Sequence, residues 1–201
     1  MTVRIEAART LFDTLASRAA MDRWLGVAAV LFVTALTAAA AQITVPLPFT
    51  PVPFTLQPMV VLLGGAALGA RRGMASQVLY LVLGAAGFPV FAPSPLLPNG
   101  LLRLLGPTGG YLMSYPFAAF VTGYLAQRGL DRRYLTSVLA MGAGLAIVFA
   151  FGVTWLALFA QPAGVGFDAA LRTGLYPFLP ADILKICVAS AIMPAVWKLI
   201  R

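Results

Sequence analysis

The stretch FLPADILKICVASAIMPAVWKLI occupies residues 178–200. Its length and apolarity predict a membrane-spanning helix, since about 20 apolar residues cross the hydrocarbon core of a bilayer. Two charged side chains, Asp182 and Lys185, interrupt the run early, and Lys198 follows only near its end. Ionisable residues inside a span are costly and usually face a cavity or a partner. Because residues three apart share one helix face, this pair is the first candidate functional site.

The whole chain has the composition of a membrane protein. Of its 201 residues, 61% are hydrophobic and 10% are charged, which is too apolar for a soluble domain. The net charge of +8 comes without a basic patch interleaved with aromatic residues, so we exclude nucleic acid as a partner. The chain has no histidine and a single cysteine, Cys187. We therefore expect no metal site, no cofactor and no disulfide framework.

Six apolar segments predict six transmembrane helices. They cover residues 24–42, 56–70, 73–88, 109–127, 135–160 and 179–199. The second and third segments are short for a full span, which leaves room for a cavity. The predicted fold class is an all-α integral membrane protein with one six-helix domain over residues 24–201. Residues 1–23 are predicted to form a cytoplasmic amphipathic segment that precedes it.

The distribution of basic residues predicts the orientation of these helices. With the amino terminus inside, 11 of the 14 lysines and arginines fall on cytoplasmic segments. The exceptions are Arg103, Arg172 and Lys185. Both termini are therefore predicted to be cytoplasmic. The three connections that then lie outside are long: 43–55, 89–108 and 161–178. We expect a small external molecule to be recognised at this outer end, where Asp182 and Lys185 also lie.

The first outer connection is rich in proline between residues 45 and 58. Proline fixes the backbone angle φ, so the segment is predicted to be extended and stiff. It is interpreted either as a cover over a ligand, with Phe49, Phe54 and Gln57 as contacts, or as a rigid connector between two spans. Gly109 and Gly110 likewise permit the close approach of a ligand or of another helix.

Catalytic groups are scarce in this sequence. There is no histidine, no GxSxG and no HExxH arrangement, so nucleophilic or metal-assisted chemistry lacks its parts. We therefore predict a binding protein rather than an enzyme. Asp182 and Lys185 then have two interpretations: an ion pair that serves only the fold, or a ligand site in which Lys185 holds a carboxylate and Asp182 accepts hydrogen bonds.

Four stretches of the sequence resemble a known family. They are PVPFTLQ at 51–57, GAAGFPVF at 84–91, GPTGGY at 106–111 and PFLPADILK at 177–185. In this order they resemble the BioY family, the biotin-specific substrate-binding subunits (S components) of energy-coupling-factor (ECF) vitamin transporters. The resemblance implies a six-helix S-component fold that binds biotin near the outer surface. It also implies a location in the cytoplasmic membrane of a bacterium. The implied partners are a transmembrane coupling subunit and two cytoplasmic ATPase subunits.

The same resemblance implies site residues. In the family, the aspartate and lysine of the last motif contact the substrate, and they correspond to Asp182 and Lys185. The N–H groups of the biotin urea suit Asp182 as their acceptor, and the carboxylate of biotin suits Lys185. An asparagine in the third loop corresponds to Asn99, although the segment APSPLLPNG at 92–100 departs from the usual glycine-rich loop. The other expected contacts are Gln57, Tyr111, Phe54 and Phe91.

S components also resemble one another in a motif of small residues on the first helix, which docks on the coupling subunit. Ala35 and Ala39 fit this motif, although alanine-rich spans contain such spacings by chance.

One alternative function is an S component for another small carboxylated vitamin. Another, from a different class, is an intramembrane enzyme or an independent channel, which the missing catalytic groups disfavour.

Overall fold

The chain folds into a bundle of helices with one short hairpin. The structure is a computed structural model and describes residues 10–16, 22–94, 97–160 and 164–200. The helices are α1 (Leu11–Ala16), α2 (Asp22–Gln42), α3 (Gln57–Leu68), α4 (Ala70–Ala85), α5 (Leu102–Leu105), α6 (Gly109–Ala126), α7 (Tyr134–Leu158), α8 (Phe167–Gly174) and α9 (Leu179–Ile200). A 3-10 turn, Leu130–Arg132, joins α6 to α7. The strands β1 (Thr44–Val45) and β2 (Phe54–Thr55) pair in antiparallel fashion.

All six segments predicted to span the membrane are helical, as α2, α3, α4, α6, α7 and α9. Among the described residues, three helical stretches are long and apolar enough to cross a bilayer: Trp24–Gln42, Tyr134–Leu158 and Leu179–Leu199. The expected shortness of the second and third segments is confirmed, since α3 has 12 residues and α4 has 16. Gly69 separates them, because its φ of 82° ends α3 and only glycine adopts such an angle readily.

Helices α3, α4 and α6 are held together by direct backbone contact. A Cβ atom on Gly65 of α3 would collide with the backbone of Ala119 on α6. A Cβ atom on Gly123 of α6 would collide with Gly69, between α3 and α4. Small residues allow helices to approach closely in lipid, where the hydrophobic effect does not drive them together. This contact fixes the two short helices against the longer α6.

Large apolar side chains cover the outside of the bundle. They include Trp24 and Phe32 on α2, Leu139 on α7 and Leu184 on α9, all of which are exposed. A soluble monomer rarely exposes apolar patches of this extent. The outer surface is therefore suited to lipid, as the composition predicts.

A short helix before the first long one lies against α3 and is joined to α4 through Arg72. Asp13 of α1 accepts hydrogen bonds from Thr10 and, at 2.9 Å, from Nη1 of Arg72. The Arg72 guanidinium also lies 4.3 Å from the centre of the Phe12 ring. Partial burial raises the pKa of the Asp13 carboxyl, but the hydrogen bonds from Thr10 and Arg72 outweigh it and hold that pKa below its usual value. The rest of the predicted 1–23 segment, residues 1–9 and 17–21, lies outside the described residues.

A buried carboxylate joins the 3-10 turn to the end of α9. Asp131 is 1% exposed, and its Oδ2 accepts a hydrogen bond of 2.6 Å from Nε1 of Trp197. Its other oxygen, Oδ1, is buried and has no hydrogen-bond partner among the residues that the structure describes. Burial raises the pKa of the Asp131 carboxyl above its usual value, because desolvation disfavours the charged form.

We expect Asp131→Asn to reduce the pH dependence of stability. A raised folded pKa means that the stability from this group is fully present below its unfolded pKa of about 3.9 and is lost as pH rises through the higher folded pKa. Raising the pH from about 4 to about 7 should thus lower the melting temperature of the wild type more than that of the variant, as measured by thermal unfolding in detergent. The matched control is Asp168→Asn, whose carboxylate is largely exposed. Parallel curves for the wild type and Asp131→Asn would contradict this account.

Candidate functional site

An apolar cavity of about 470 Å³ lies among the helices. Its size falls within the range of about 300 to 1,000 Å³ that is typical of small-ligand sites. The first two turns of α3, α6 and α9 and the second half of α7 form its walls, together with α5, the loops before α3, α5 and α6, and the loop after α7. Apolar and aromatic residues dominate the lining, among them Val52, Phe91, Tyr111, Leu112, Tyr115 and Phe149. All of the contributing helix ends belong to the side predicted to face outward.

Asp182 and Lys185 form an ion pair at this cavity. Nζ of Lys185 lies 2.7 Å from Oδ1 of Asp182, and the two side chains are 11% and 7% exposed. The same Nζ donates a hydrogen bond of 2.6 Å to the carbonyl oxygen of Thr55 and lies 3.6 Å from the centre of the Phe54 ring. The shared helix face that the spacing predicts is confirmed. The lysine charge is therefore already balanced by protein groups.

The proline-rich loop is closed by the β1–β2 hairpin, in which Val45 pairs with Phe54. This pairing places the Thr55 carbonyl within reach of Lys185. Pro51, Val52 and Pro53 line the cavity, and Thr50 Oγ1 donates a hydrogen bond of 2.6 Å to the Thr173 carbonyl of α8. The loop is thus part of the cavity wall, which favours the ligand-covering interpretation over a simple connector.

Gln57, at the start of α3, is fixed by a chain of hydrogen bonds. Its Nε2 donates at 2.7 Å to the Tyr80 hydroxyl, which donates at 3.1 Å to the Val90 carbonyl. The Tyr80 ring also meets the Phe91 ring edge to face, with 5.4 Å between their centres. A buried amide held in this way presents a fixed polar group to the cavity at little further cost in entropy.

The glycines before α6 are explained by helix packing. A Cβ atom on Gly110 would collide with Trp155 of α7, and one on Gly109 with the carbonyl of Leu104. Nε1 of Trp155 donates a hydrogen bond of 2.9 Å to the Gly106 carbonyl, which fixes this turn against α7. Of the two interpretations of these glycines, the structure supports the close approach of neighbouring protein groups.

The structure brings together most of the residues predicted from sequence. Those that line the cavity are Asp182, Lys185, Gln57, Tyr111 and Phe91. Phe54 contacts the cavity indirectly, through the Lys185 ammonium. Asn99 is exposed in the turn before α5 and does not line the cavity. Ala35 and Ala39 are exposed on α2.

Arg103 lines the cavity and was missed by the sequence reasoning. The residue lies in α5 within the second outer connection and is 6% exposed. Its Nε donates a hydrogen bond of 3.3 Å to the Pro98 carbonyl. One signal was available, because Arg103 is among the three basic residues that fall outside the predicted cytoplasmic segments.

This fold matches a known class of membrane protein. A search of solved structures finds the crystal structure of the S-component for biotin from an ECF-type ABC transporter, with a TM-score of 0.78 and 25% identity. The match covers 89% of this chain and 94% of that one. The chain therefore has the S-component fold, as the resemblance predicts.

Sequence comparisons identify the family. The BioY family profile matches residues 13–201. The probable biotin transporter BioY of Pyrococcus horikoshii is 42% identical over 79% of this chain and 87% of that protein. The biotin transporter BioY of Rhizobium etli is 37% identical over 83% and 89%, and that of Thermotoga maritima is 39% identical over 83% and 92%. The chain belongs to the BioY family.

Proposed function

We propose that this protein binds biotin as the substrate-binding subunit of an ECF-type uptake transporter and is not an enzyme. The observation that carries this proposal is the Asp182–Lys185 pair at an apolar cavity of about 470 Å³, in a chain whose relatives are named biotin transporters. Biotin has a planar urea with N–H donors, an apolar sulfur-containing ring and a flexible chain that ends in a carboxylate. It requires an acceptor, an apolar wall and a cation, and all three line this cavity.

The polar ring of biotin is assigned to the Asp182–Lys185 pair. Oδ1 of Asp182 is occupied by Lys185, and among the described residues no donor bonds Oδ2, which leaves it to accept a ureido N–H. Lys185 holds the carboxylate of Asp182 in place and donates to the ureido oxygen. This differs from the role expected from sequence, in which Lys185 binds the biotin carboxylate, because its charge is already balanced by Asp182. Phe91 and Tyr111 provide the wall for the sulfur-containing ring, with Gln57 and Phe54 beside it. Asn99 takes part only if the turn before α5 folds inward.

The proposed topology has six membrane-spanning helices in one domain over residues 24–201, with residues 1–23 as a cytoplasmic lead-in. Both termini are cytoplasmic, and the cavity opens to the outer side. The excess of arginine and lysine on the segments that would then lie inside supports this orientation. Biotin is captured at the outer face.

The proposed partners are a transmembrane coupling subunit and two cytoplasmic ATPase subunits, in the cytoplasmic membrane of a bacterium. Ala35 and Ala39 on α2 are the docking residues, since both are exposed and are small enough for a partner helix to approach closely. Import would be driven by the ATPase subunits, because catalytic groups for ATP hydrolysis are not evident in this sequence.

Competition binding distinguishes biotin from other carboxylated vitamins. We expect desthiobiotin, which keeps the urea ring, to displace tritiated biotin from the purified protein. Lipoate has a sulfur-containing ring and the same acid chain but no urea, so it should not compete at similar concentrations. Displacement by lipoate as readily as by desthiobiotin would favour a different vitamin. Failure of the folded protein to retain tritiated biotin would also contradict the proposal.

A further inference from the structure

The charged residues of the cavity do not balance. Among the described residues that line it, three are charged: Asp182, Lys185 and Arg103. Asp182 and Lys185 neutralise one another across 2.7 Å. Arg103 is therefore an additional positive charge at a site with mostly apolar walls. A cation in such surroundings is costly unless an anion accompanies it.

Within the described residues, no acid accompanies Arg103. The hydrogen bond recorded for its guanidinium is the one from Nε to the Pro98 carbonyl, at 3.3 Å. The ion pairs of the described residues join other side chains: Arg72 with Asp13, Arg172 with Asp168, and Lys185 with Asp182. The terminal nitrogens of Arg103 thus remain available as donors at the cavity.

The backbone around Arg103 holds its side chain in a defined place. Its amide donates a hydrogen bond of 3.1 Å to the Gly100 carbonyl, at the start of α5. Gly100 has a φ of 110°, which lets the chain turn sharply there. With Nε anchored to Pro98, the planar guanidinium is fixed before a ligand arrives. A fixed guanidinium fork suits the bidentate binding of a carboxylate.

We infer that Arg103 binds the carboxylate of the ligand, while the Asp182–Lys185 pair binds its polar ring. This inference rests on the proposed function and adds a specificity rule to it. The site takes a ligand with one negative charge and a neutral ring, because one anion restores charge balance in the cavity. A neutral derivative of the same ligand leaves Arg103 without its partner.

The test compares biotin with biotinamide, in which a neutral amide replaces the carboxylate. Both are titrated calorimetrically into the wild type and into Arg103→Gln. The wild type should bind biotin at least about tenfold more tightly than biotinamide. Arg103→Gln should bind biotin at least about tenfold more weakly, while its affinity for biotinamide stays within about threefold of wild type. The affinity of Arg103→Lys for biotin should lie between those of the wild type and Arg103→Gln, since lysine keeps the charge but lacks the two parallel N–H donors of the guanidinium.

A matched control and a second measurement distinguish direct binding of the ligand by Arg103 from a role of Arg103 in the stability of the fold. Arg172→Gln removes an exposed arginine of α8 and should leave both affinities unchanged. Without added ligand, Arg103→Gln should melt at the same temperature as the wild type or higher, because it removes an unbalanced buried charge. A lower melting temperature of Arg103→Gln, together with an equal loss of affinity for biotin and for biotinamide, would assign Arg103 a structural role and overturn the inference.

The outcomes also distinguish this inference from the proposed function. If the wild type binds biotin and Arg103→Gln still prefers biotin over biotinamide to the same extent, only the role of Arg103 is overturned. If the folded wild type binds neither compound, the proposed function fails and the inference fails with it.

Discussion

Lys185→Met weakens biotin binding by at least about tenfold, the result expected when Asp182 loses its cation in a buried site. Methionine keeps the length of the side chain but removes its charge and its hydrogen bonds to Asp182 and to the Thr55 carbonyl. The Asp182 carboxylate is then a buried charge without its cation, and Lys185 no longer holds it in the orientation that accepts the ureido N–H groups. Isothermal titration with biotin measures the loss, and a melting curve verifies that the variant is folded.

The same helix provides the control. Lys198→Met removes an exposed lysine from the last turn of α9 and should leave the affinity for biotin unchanged. Asp182→Asn should weaken binding at least about tenfold as well, because an amide oxygen is a poorer acceptor than a carboxylate. Wild-type affinity in both Lys185→Met and Asp182→Asn would contradict the site assignment.

Gly123→Leu should destabilise the folded protein by about 3 kcal/mol or more. An added Cβ atom would lie 2.5 Å from the carbonyl carbon of Gly69 and 2.6 Å from the amide nitrogen of Ala70. These are backbone atoms, so they cannot move aside as a flexible side chain would. Helices α3 and α4 would have to separate from α6. Thermal unfolding in detergent and the yield of monodisperse protein both report this loss.

The matched control is the same substitution at Gly142 of α7. Apart from the neighbouring backbone of α7 itself, no atom of the described residues lies within 4 Å of a Cβ atom built there. Gly142→Leu should therefore change stability by no more than about 1 kcal/mol, with the gain in helix propensity favouring the variant. Equal melting temperatures for Gly123→Leu and Gly142→Leu would show that backbone contact at Gly123 does not hold the short helices in place.

The helices and the ion pair were predictable because local physics determines them. In lipid, backbone polar groups must bond within their own segment, so apolar runs of sufficient length become helices. The three-residue spacing of Asp182 and Lys185 places them on one face of any helix, whatever the tertiary fold. Family resemblance then supplied the chemistry of the ligand, which apolar periodicity alone does not.

Features that depend on tertiary contacts were not predictable. The segments predicted at 56–70 and 73–88 place the turn at residues 71–72, whereas the break falls at Gly69, which has a positive φ and lies close to Gly123 of α6. Arg103 lies in a helix of only four residues inside a proline-rich connection. Such a segment is too short for a periodic pattern to indicate which residues face the cavity. Its place at the cavity depends on the course of the loop around it.

The central claim is that the cavity beside Asp182 and Lys185 binds biotin. Isothermal titration of the purified wild-type protein with biotin tests it most directly, with a cooperative melting transition to establish that the protein is folded. We predict tight binding with one biotin per chain. A folded protein that binds no biotin, at concentrations where ligand-induced heat would be measurable, would contradict the claim.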